Sequence, residues 1–292
     1  MAVTVRPRRS VLYMPGSNAR ALDKARSIPA DGLILDLEDA TAPDAKPMAR
    51  EQIAAVLKAG GFGGRELIVR INGLDTQWGK DDLAAASKAA PDAILLPKVE
   101  SRAQVLEVAS LMDRHGAPAT TAIWCMMETP KGILHAEEIA AASPRVACFV
   151  MGTNDLVKDV HARHTALRLP IITALSHCML AARAYGLAIL DGVYNDLNDD
   201  EGFKATCAQG VEFGFDGKTL IHPKQVEPCN AAFAPSADEV ALSRRIIAAF
   251  AQAQAEGKAV VLVDGKLIEN LHVENARRVV ALAEAIEKLA AA

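Results

Sequence analysis

Aromatic side chains are scarce in this 292-residue chain, only two Trp, three Tyr and seven Phe, or 4% of the whole. That scarcity suits helices packed closely around a parallel sheet. Cysteine is equally thin. The five thiols (Cys125, Cys148, Cys178, Cys207 and Cys229) are scattered, with no CxxC or Cys/His spacing that would build a zinc site. Several lie in strongly apolar runs, as buried inert thiols do. The net charge is only −4, which gives no general attraction to nucleic acid or to an anionic membrane, so no nucleic-acid partner is expected. An anionic ligand must be held by a local cluster of cations. No apolar run approaches the roughly 20 residues that span a bilayer. The basic start, MAVTVRPRRSVLYMPG, has neither a long apolar stretch nor a cleavage site, so a reduced, cytoplasmic protein is expected. GxGxxG and P-loop motifs are absent, which removes the usual cradles for a dinucleotide or ATP.

What is present is a regular alternation. Apolar, β-rich runs occur at Ser10–Met14, Gly32–Asp36, Leu67–Ile71, Ala93–Leu96, Thr121–Met127, Val146–Met151, Leu187–Asp191 and Gly217–Ile221. Helical patterns separate them, among them Pro43–Ala59, Arg102–Arg114, Pro130–Ala142, Pro170–Tyr185 and Asp200–Phe213. Strands separated by helices imply βαβ units and a parallel sheet. Eight of them fit a closed (β/α)8 barrel over residues 1–234; a doubly wound sheet is the alternative. A break at Ala234-Pro235-Ser236 opens a second segment, residues 235–292, with a helix to about Glu256, a short β-like run at Ala259–Val263 and a final helix from about Asn270. That segment is too small to fold alone with ease, and it should pack as a lid or oligomerisation arm.

Polar residues gather where the strands end. The junctions are Pro15-Gly16-Ser17, Asp36-Leu37-Glu38-Asp39, Arg70-Ile71-Asn72-Gly73, Pro97-Lys98, Glu128-Thr129, Gly152-Thr153-Asn154-Asp155 and His222-Pro223. In a barrel these ends form one rim, where active sites sit. Gly, Asp and Asn also mark ordinary turns, but a turn needs neither Glu128 nor Arg70.

Four groups carry chemistry. Glu128 and Asp155, on consecutive strand ends with no His or Cys beside them, are hard oxygen donors suited to Mg²⁺, with Mn²⁺ as a substitute. Asp155 could instead cap the helix that Leu156 and Val157 open, and Glu128 could sit in an ion pair. Arg70 closes an apolar strand, where a guanidinium can match a carboxylate or pair with a rim acid. Asp36, Glu38 and Asp39 place three acids within four residues, to orient Arg70, to hold metal-bound water or to face solvent. Lys98 is either a cation balancing those acids or a Schiff-base lysine. Finally, Tyr13–Asn18 leads through a Gly turn into Arg20, Lys24 and Arg26 at helical spacing, an arrangement that can receive phosphates or simply present a solvated basic face.

Together the segments RSVLYMPGS, LILDLEDA, LIVRING, ILLPKVES, METPKGILHAEEIA, VMGTNDL, GFDGKTLIHPKQV and DGKLIENLHVENA resemble the citrate lyase β-subunit/HpcH–HpaI aldolase superfamily, in the branch holding malyl-CoA lyases and CitE-like proteins. The resemblance runs in family order over more than nine-tenths of the chain. It implies that Glu128 and Asp155 bind Mg²⁺ and that Arg70 binds the acyl carboxylate. It implies that Glu38 and Asp39 underlie the metal waters and Arg70. Tyr13 falls in the same substrate site; Arg20 and Lys24 meet the phosphates of coenzyme A, and Ile221-His222-Pro223 forms a ledge near its pantetheine. Lys98 then becomes structural.

In malyl-CoA lyases the acid/base residue is an aspartate on the C-terminal segment of an adjacent subunit. Here Glu269 stands in its place, and one extra methylene moves a carboxylate by about 1 Å. That departure, with TQWGKDDL and WCMMET, is similar to the (3S)-malyl-CoA thioesterase branch. The implied reaction is Mg²⁺-dependent hydrolysis of malyl-CoA by a homo-oligomer, a trimer or hexamer with shared active sites. The alternatives are a carbon–carbon lyase for malyl-, citramalyl- or citryl-CoA, and a noncatalytic subunit of a larger lyase complex. A CoA-independent pyruvate aldolase fits less well, since that branch carries a histidine where Asp39 stands.

Overall fold

The computed structural model describes residues 5–292. Its strands arise from short apolar runs buried on both faces, as strands inside a shell of helices must be. They are β1 (Ser10–Pro15), β2 (Gly32–Asp36), β3 (Glu66–Arg70), β4 (Ala93–Leu96), β5 (Ala122–Met127), β6 (Val146–Met151), β7 (Ala188–Asp191) and β8 (Gly217–Leu220). Each pairs in parallel with the next, and β8 returns to β1 through Ser10↔Lys218, Val11↔Thr219 and Leu12↔Leu220. Among the described residues these eight strands form one closed barrel, with helices in the connections. An open doubly wound sheet would leave two edge strands, so that alternative falls.

Strand alternation divides the core into two layers. Val11, Ile34, Ile68, Leu95, Trp124, Met126, Val150 and Leu190 fill the barrel interior. Their neighbours, including Leu12, Leu33, Leu35, Val69, Ile94 and Phe149, belong to the larger cluster between sheet and helices.

Several expected boundaries shift, most by a single residue. β3 begins at Glu66 and ends at Arg70, where Leu67–Ile71 was expected, because Arg70 stands in register with Asp36 at the end of β2. The expected helix Pro130–Ala142 is two, Pro130–Leu134 and Ala136–Ala140, hinged at His135. The ring Nδ1 of that histidine lies 2.8 Å from the Glu100 carbonyl, which turns the chain there. Helix Gly79–Ala89, not singled out in the sequence, packs between its neighbours.

The chain divides into two compact units. One is the barrel, Arg8–Phe233; the other is Ala234–Ala292, grouped with residues 5–7. The second unit has helices Ala237–Ala255 and Asn270–Ala290 and a hairpin of β9 (Val261–Val263) with β10 (Lys266–Ile268). Asp264 and Gly265 turn the hairpin in left-handed conformation, at φ of 48° and 77°. Phe250, Ile268 and Val273 form its small core. Among the described residues no helix is long and apolar enough to cross a membrane.

Candidate active site

The strand ends enclose a cavity of about 320 Å³, lined by Tyr13, Asp39, Arg70, Met126, Glu128 and Asp155 among others. Residues from β1, β2, β3, β5 and β6 thus meet at one mouth, as their position on the C-terminal rim predicts.

Arg70 lies at its floor, 7% exposed. Its Nε and Nη2 donate to Asp36 Oδ1 and Oδ2, each at 2.6 Å. Nη1 lies 2.7 Å from Glu38 Oε2, 3.5 Å from Asp39 Oδ2 and 3.8 Å from Met126 Sδ. The guanidinium also stacks 4.7 Å from the centre of the Tyr13 ring. Asp36 holds both sides of the junction, since its oxygens accept from the amides of Glu38 and Ala40 as well. The bidentate edge of Arg70 is therefore committed to Asp36, and Nη1 is the edge nearest a ligand. By sequence Asp36 is one of three equivalent acids, any of which could orient Arg70. The in-register pairing Asp36↔Arg70 is the signal that finds it.

The three acids separate by environment. Asp36 is wholly buried, Glu38 is 9% exposed, and the side chain of Asp39 is 67% exposed, which makes it the solvated member. Burial pushes the Glu38 carboxyl up, against the opposing pull of Arg70 and Lys98. Its Oε2 has the short ion pair to Arg70 but no well-directed hydrogen bond. Beneath this loop Lys46, 4% exposed, donates to the Leu37 and Glu38 carbonyls and to Asn72 Oδ1. The loop that presents Glu38 is thereby fixed from below by Lys46, which the sequence did not single out.

Glu128 is 2% exposed and accepts a 2.7 Å hydrogen bond from the backbone amide of Lys98. Burial, helped by the charges of Glu38 and Asp155, pushes its carboxyl up to about 7. Lys98 adopts a left-handed backbone, φ 47°, rare for a side chain of its kind, and its Nζ reaches Glu38 Oε1 at 2.9 Å. One residue thus ties Glu128 to Glu38, in keeping with a structural cation. Gly152 supplies the room. A Cβ there would stand 2.3 Å from Glu128 Cβ and 2.4 Å from Oε2.

Asp155 is the third residue of helix Thr153–Asp159, whose N-cap is Gly152, so its carboxylate is not the cap. It pairs with Lys158 at 2.9 Å and remains open to the cavity. Among the described residues no group of three or more His, Cys, Asp or Glu side chains could hold a metal. Two hard carboxylates on one cavity suit Mg²⁺ all the same, because that ion keeps several waters. A cation would also offset the charge that raises Glu128.

The remaining expected residues lie off the cavity wall. Arg20 and Lys24 are exposed on the short helix Ala19–Lys24, while Arg26 packs over Phe62 and donates to the Gly60 carbonyl. His222 is exposed and accepts from the Lys224 amide, though its neighbour Ile221 lines the cavity. Glu269 belongs to the second unit, exposed at the start of helix Asn270–Ala290, where its amide donates to His272 Nδ1 at 3.0 Å. Across the mouth Asn154 and Asn195 join their side-chain amides reciprocally at 3.3 and 2.9 Å.

Comparison with known proteins gives the relatives of this chain. The model of the HpcH/HpaI aldolase/citrate lyase family matches residues 9–223. The chain is 51% identical over 286 residues to (3S)-malyl-CoA thioesterase of Cereibacter sphaeroides (strain KD131 / KCTC 12085), covering 98% of each. It is 34% identical over 284 residues to citrate lyase subunit beta of Escherichia coli (strain K12), covering 96% of this chain and 94% of that one. The crystal structure of CitE from Mycobacterium tuberculosis in complex with magnesium, acetoacetate and coenzyme A matches with TM-score 0.76 and 28% identity, over 96% of this chain and all of that one.

Proposed function

The chain belongs to the HpcH/HpaI aldolase/citrate lyase family, and from that premise we propose that it hydrolyses (3S)-malyl-CoA to malate and coenzyme A with Mg²⁺. The observation that carries this reading is 51% identity, over 98% of both chains, to a relative named for that activity. The citrate lyase subunit at 34% identity favours a second reading, carbon–carbon cleavage that releases acetyl-CoA. Retention of Glu128, Asp155, Arg70 and an acid at 269 argues against a noncatalytic subunit. Incubating the purified protein with Mg²⁺ and (3S)-malyl-CoA separates the readings by product. Free CoA with malate supports the thioesterase; acetyl-CoA with glyoxylate would replace it by the lyase.

We assign Glu128 and Asp155 to the metal, which when bound polarises the acyl oxygens and offsets the charge of the acids around it. Arg70 keeps its Nε/Nη2 edge on Asp36 and turns Nη1 to the distal carboxylate of the acyl group. Binding there draws Nη1 away from Glu38, whose second tie, to Lys98, holds it in place. Tyr13 and Met126 wall the acyl pocket. Glu38 and Asp39 accept hydrogen bonds from water at this edge of the site. Glu269, supplied by the second unit of another copy in a homo-oligomer, takes the proton of the attacking water, and the CoA thiolate departs. Arg20 and Lys24 face the phosphates of coenzyme A, and Ile221-His222-Pro223 borders its pantetheine arm. Residues 235–292 act in this reading as a lid and an assembly arm. A cytoplasmic setting agrees with five free thiols, all buried.

A further inference from the structure

Two hydrogen-bond donors in the cavity rest on one weak acceptor. The Tyr13 hydroxyl donates to Met126 Sδ at 3.7 Å, and Arg70 Nη1 donates to the same sulfur at 3.8 Å. All three residues line the cavity, and Met126 is 5% exposed, with its side chain in the barrel interior. A thioether is a poor acceptor, and donors this deep ordinarily find an oxygen. Carboxylates do stand close by. Asp36 is taken up by Nε and Nη2 of Arg70, and Glu38 Oε2, though 2.7 Å from Nη1, receives no well-directed hydrogen bond. The directed bonds of both donors therefore end on sulfur.

Two donors aimed at one soft point describe a place for an anionic oxygen, since both bonds would then be charge-assisted and about twice as strong as neutral ones. The rest of the wall narrows the choice. Asp36, Asp39, Glu128 and Asp155 also line this cavity, and they disfavour a ligand carboxylate wherever no donor offsets them. Tyr13 is held in position by its ring, with the Arg70 guanidinium 4.7 Å over its centre. Met126 can yield, because its unbranched side chain turns aside at little cost.

We propose that the Tyr13 hydroxyl and Arg70 Nη1 together clamp the distal carboxylate of the acyl group, and that the Met126 thioether is the acceptor which that carboxylate displaces. The proposal rests on the acyl-CoA reading above and extends it. The site selects acyl groups that end in a carboxylate over those that end in a methyl group, and part of that selection comes from a neutral phenol.

The test is calorimetry on the full-length protein with Mg²⁺ and two unreactive ligands, the succinyl-CoA and butyryl-CoA analogues in which CH₂ replaces the thioester sulfur. Neither hydrolysis nor carbon–carbon cleavage then enters the measurement, and only the first ligand ends in a carboxylate. The wild type should prefer the succinyl analogue. Tyr13→Phe keeps the ring over Arg70 and removes the hydroxyl. It should lower that preference about tenfold, the lower end for a hydrogen bond to a charged group, and leave the butyryl affinity unchanged. Met126→Leu keeps the bulk and removes the sulfur, so it should retain or increase the preference. The proposal is overturned if Tyr13→Phe keeps the wild-type preference, or if it weakens both analogues equally, which would make Tyr13 a packing residue alone. Loss of the preference in Met126→Leu would overturn it too, since the sulfur would then be positioning Arg70 and not standing in for a ligand. A wild type that binds neither analogue would instead remove the acyl-CoA reading, and the clamp with it.

Discussion

Asp36 and Arg70 stand opposite one another across two parallel strands, and the guanidinium grips both carboxylate oxygens at 2.6 Å. Both are buried, so neither charge has water to fall back on. Removing one partner leaves the other uncompensated, which costs about 3–5 kcal/mol. Asp36→Asn keeps the shape and loses the charge. It should lower the urea midpoint, with a loss of unfolding free energy in that range, and raise KM, because a loosened Arg70 no longer aims Nη1. An unchanged midpoint would show that Asp36 does not hold the arginine in solution.

Arg70→Lys preserves the charge and discards the fork. A lysine cannot satisfy Asp36 bidentately and reach the cavity at once. Substrate use, read as kcat/KM, should weaken by about 1.5–3 kcal/mol, the range of a charge-assisted hydrogen bond. Wild-type kinetics from this variant would remove Arg70 from the acyl site.

Much of this was legible beforehand, and the reason is physical. A strand buried on both faces must be apolar throughout, so a charged residue at its end, such as Arg70 or Glu128, stands out against the run before it. The eight strands and the rim residues could therefore be read directly. What could not be read was pairing. Asp36 looks like one of three equivalent acids until the β2–β3 register sets it opposite Arg70. Lys98 gives no sign of its left-handed backbone, because lysine has no preference for that conformation. Strand β10 is three residues long, too short for alternation to show.

Gly152 offers a test of the proposed metal pocket that leaves both assigned carboxylates in place. Its added Cβ would sit 2.4 Å from Glu128 Oε2, so the carboxylate must move. Gly152→Ala should weaken Mg²⁺ binding in calorimetry and cut activity by at least tenfold, the order expected when a supporting contact of a metal ligand is disturbed. Mg²⁺ affinity equal to the wild type would mean that Glu128 does not bind the ion in the conformation seen here.

The carboxylates themselves give the direct control. Glu128→Ala and Asp155→Ala should each abolish Mg²⁺-dependent turnover and the calorimetric Mg²⁺ signal. Glu128→Gln is the gentler change: it keeps the amide of Lys98 partnered while removing the charge. A variant as active in chelator as the wild type in Mg²⁺ would remove its residue from the metal site.

In the proposed reaction Glu269 is the base. It is exposed at the head of a helix in the small unit, where it is the N-cap residue. If it is the base, Glu269→Gln should fold normally, bind Mg²⁺ normally and lose hydrolysis by 10²–10⁴-fold, the usual contribution of a general base. Sharing between copies adds a second consequence. Glu269→Gln lacks only the base, whereas Arg70→Ala lacks only the grip on the acyl carboxylate. Mixed oligomers of these two inactive chains would contain sites with an intact Arg70 from one copy and an intact Glu269 from the other, so mixing should restore part of the activity. Failure to complement, with both chains shown to co-assemble, would place the base within a single copy. Glu269→Asp then separates the two chemistries. The shorter carboxylate should lose hydrolysis, and release of acetyl-CoA in its place would show that the reach of this one side chain chooses between water and carbon–carbon cleavage. Full hydrolysis by Glu269→Gln would end the assignment, leaving the base to be sought among the acids of the mouth, Glu38 and Asp39 first.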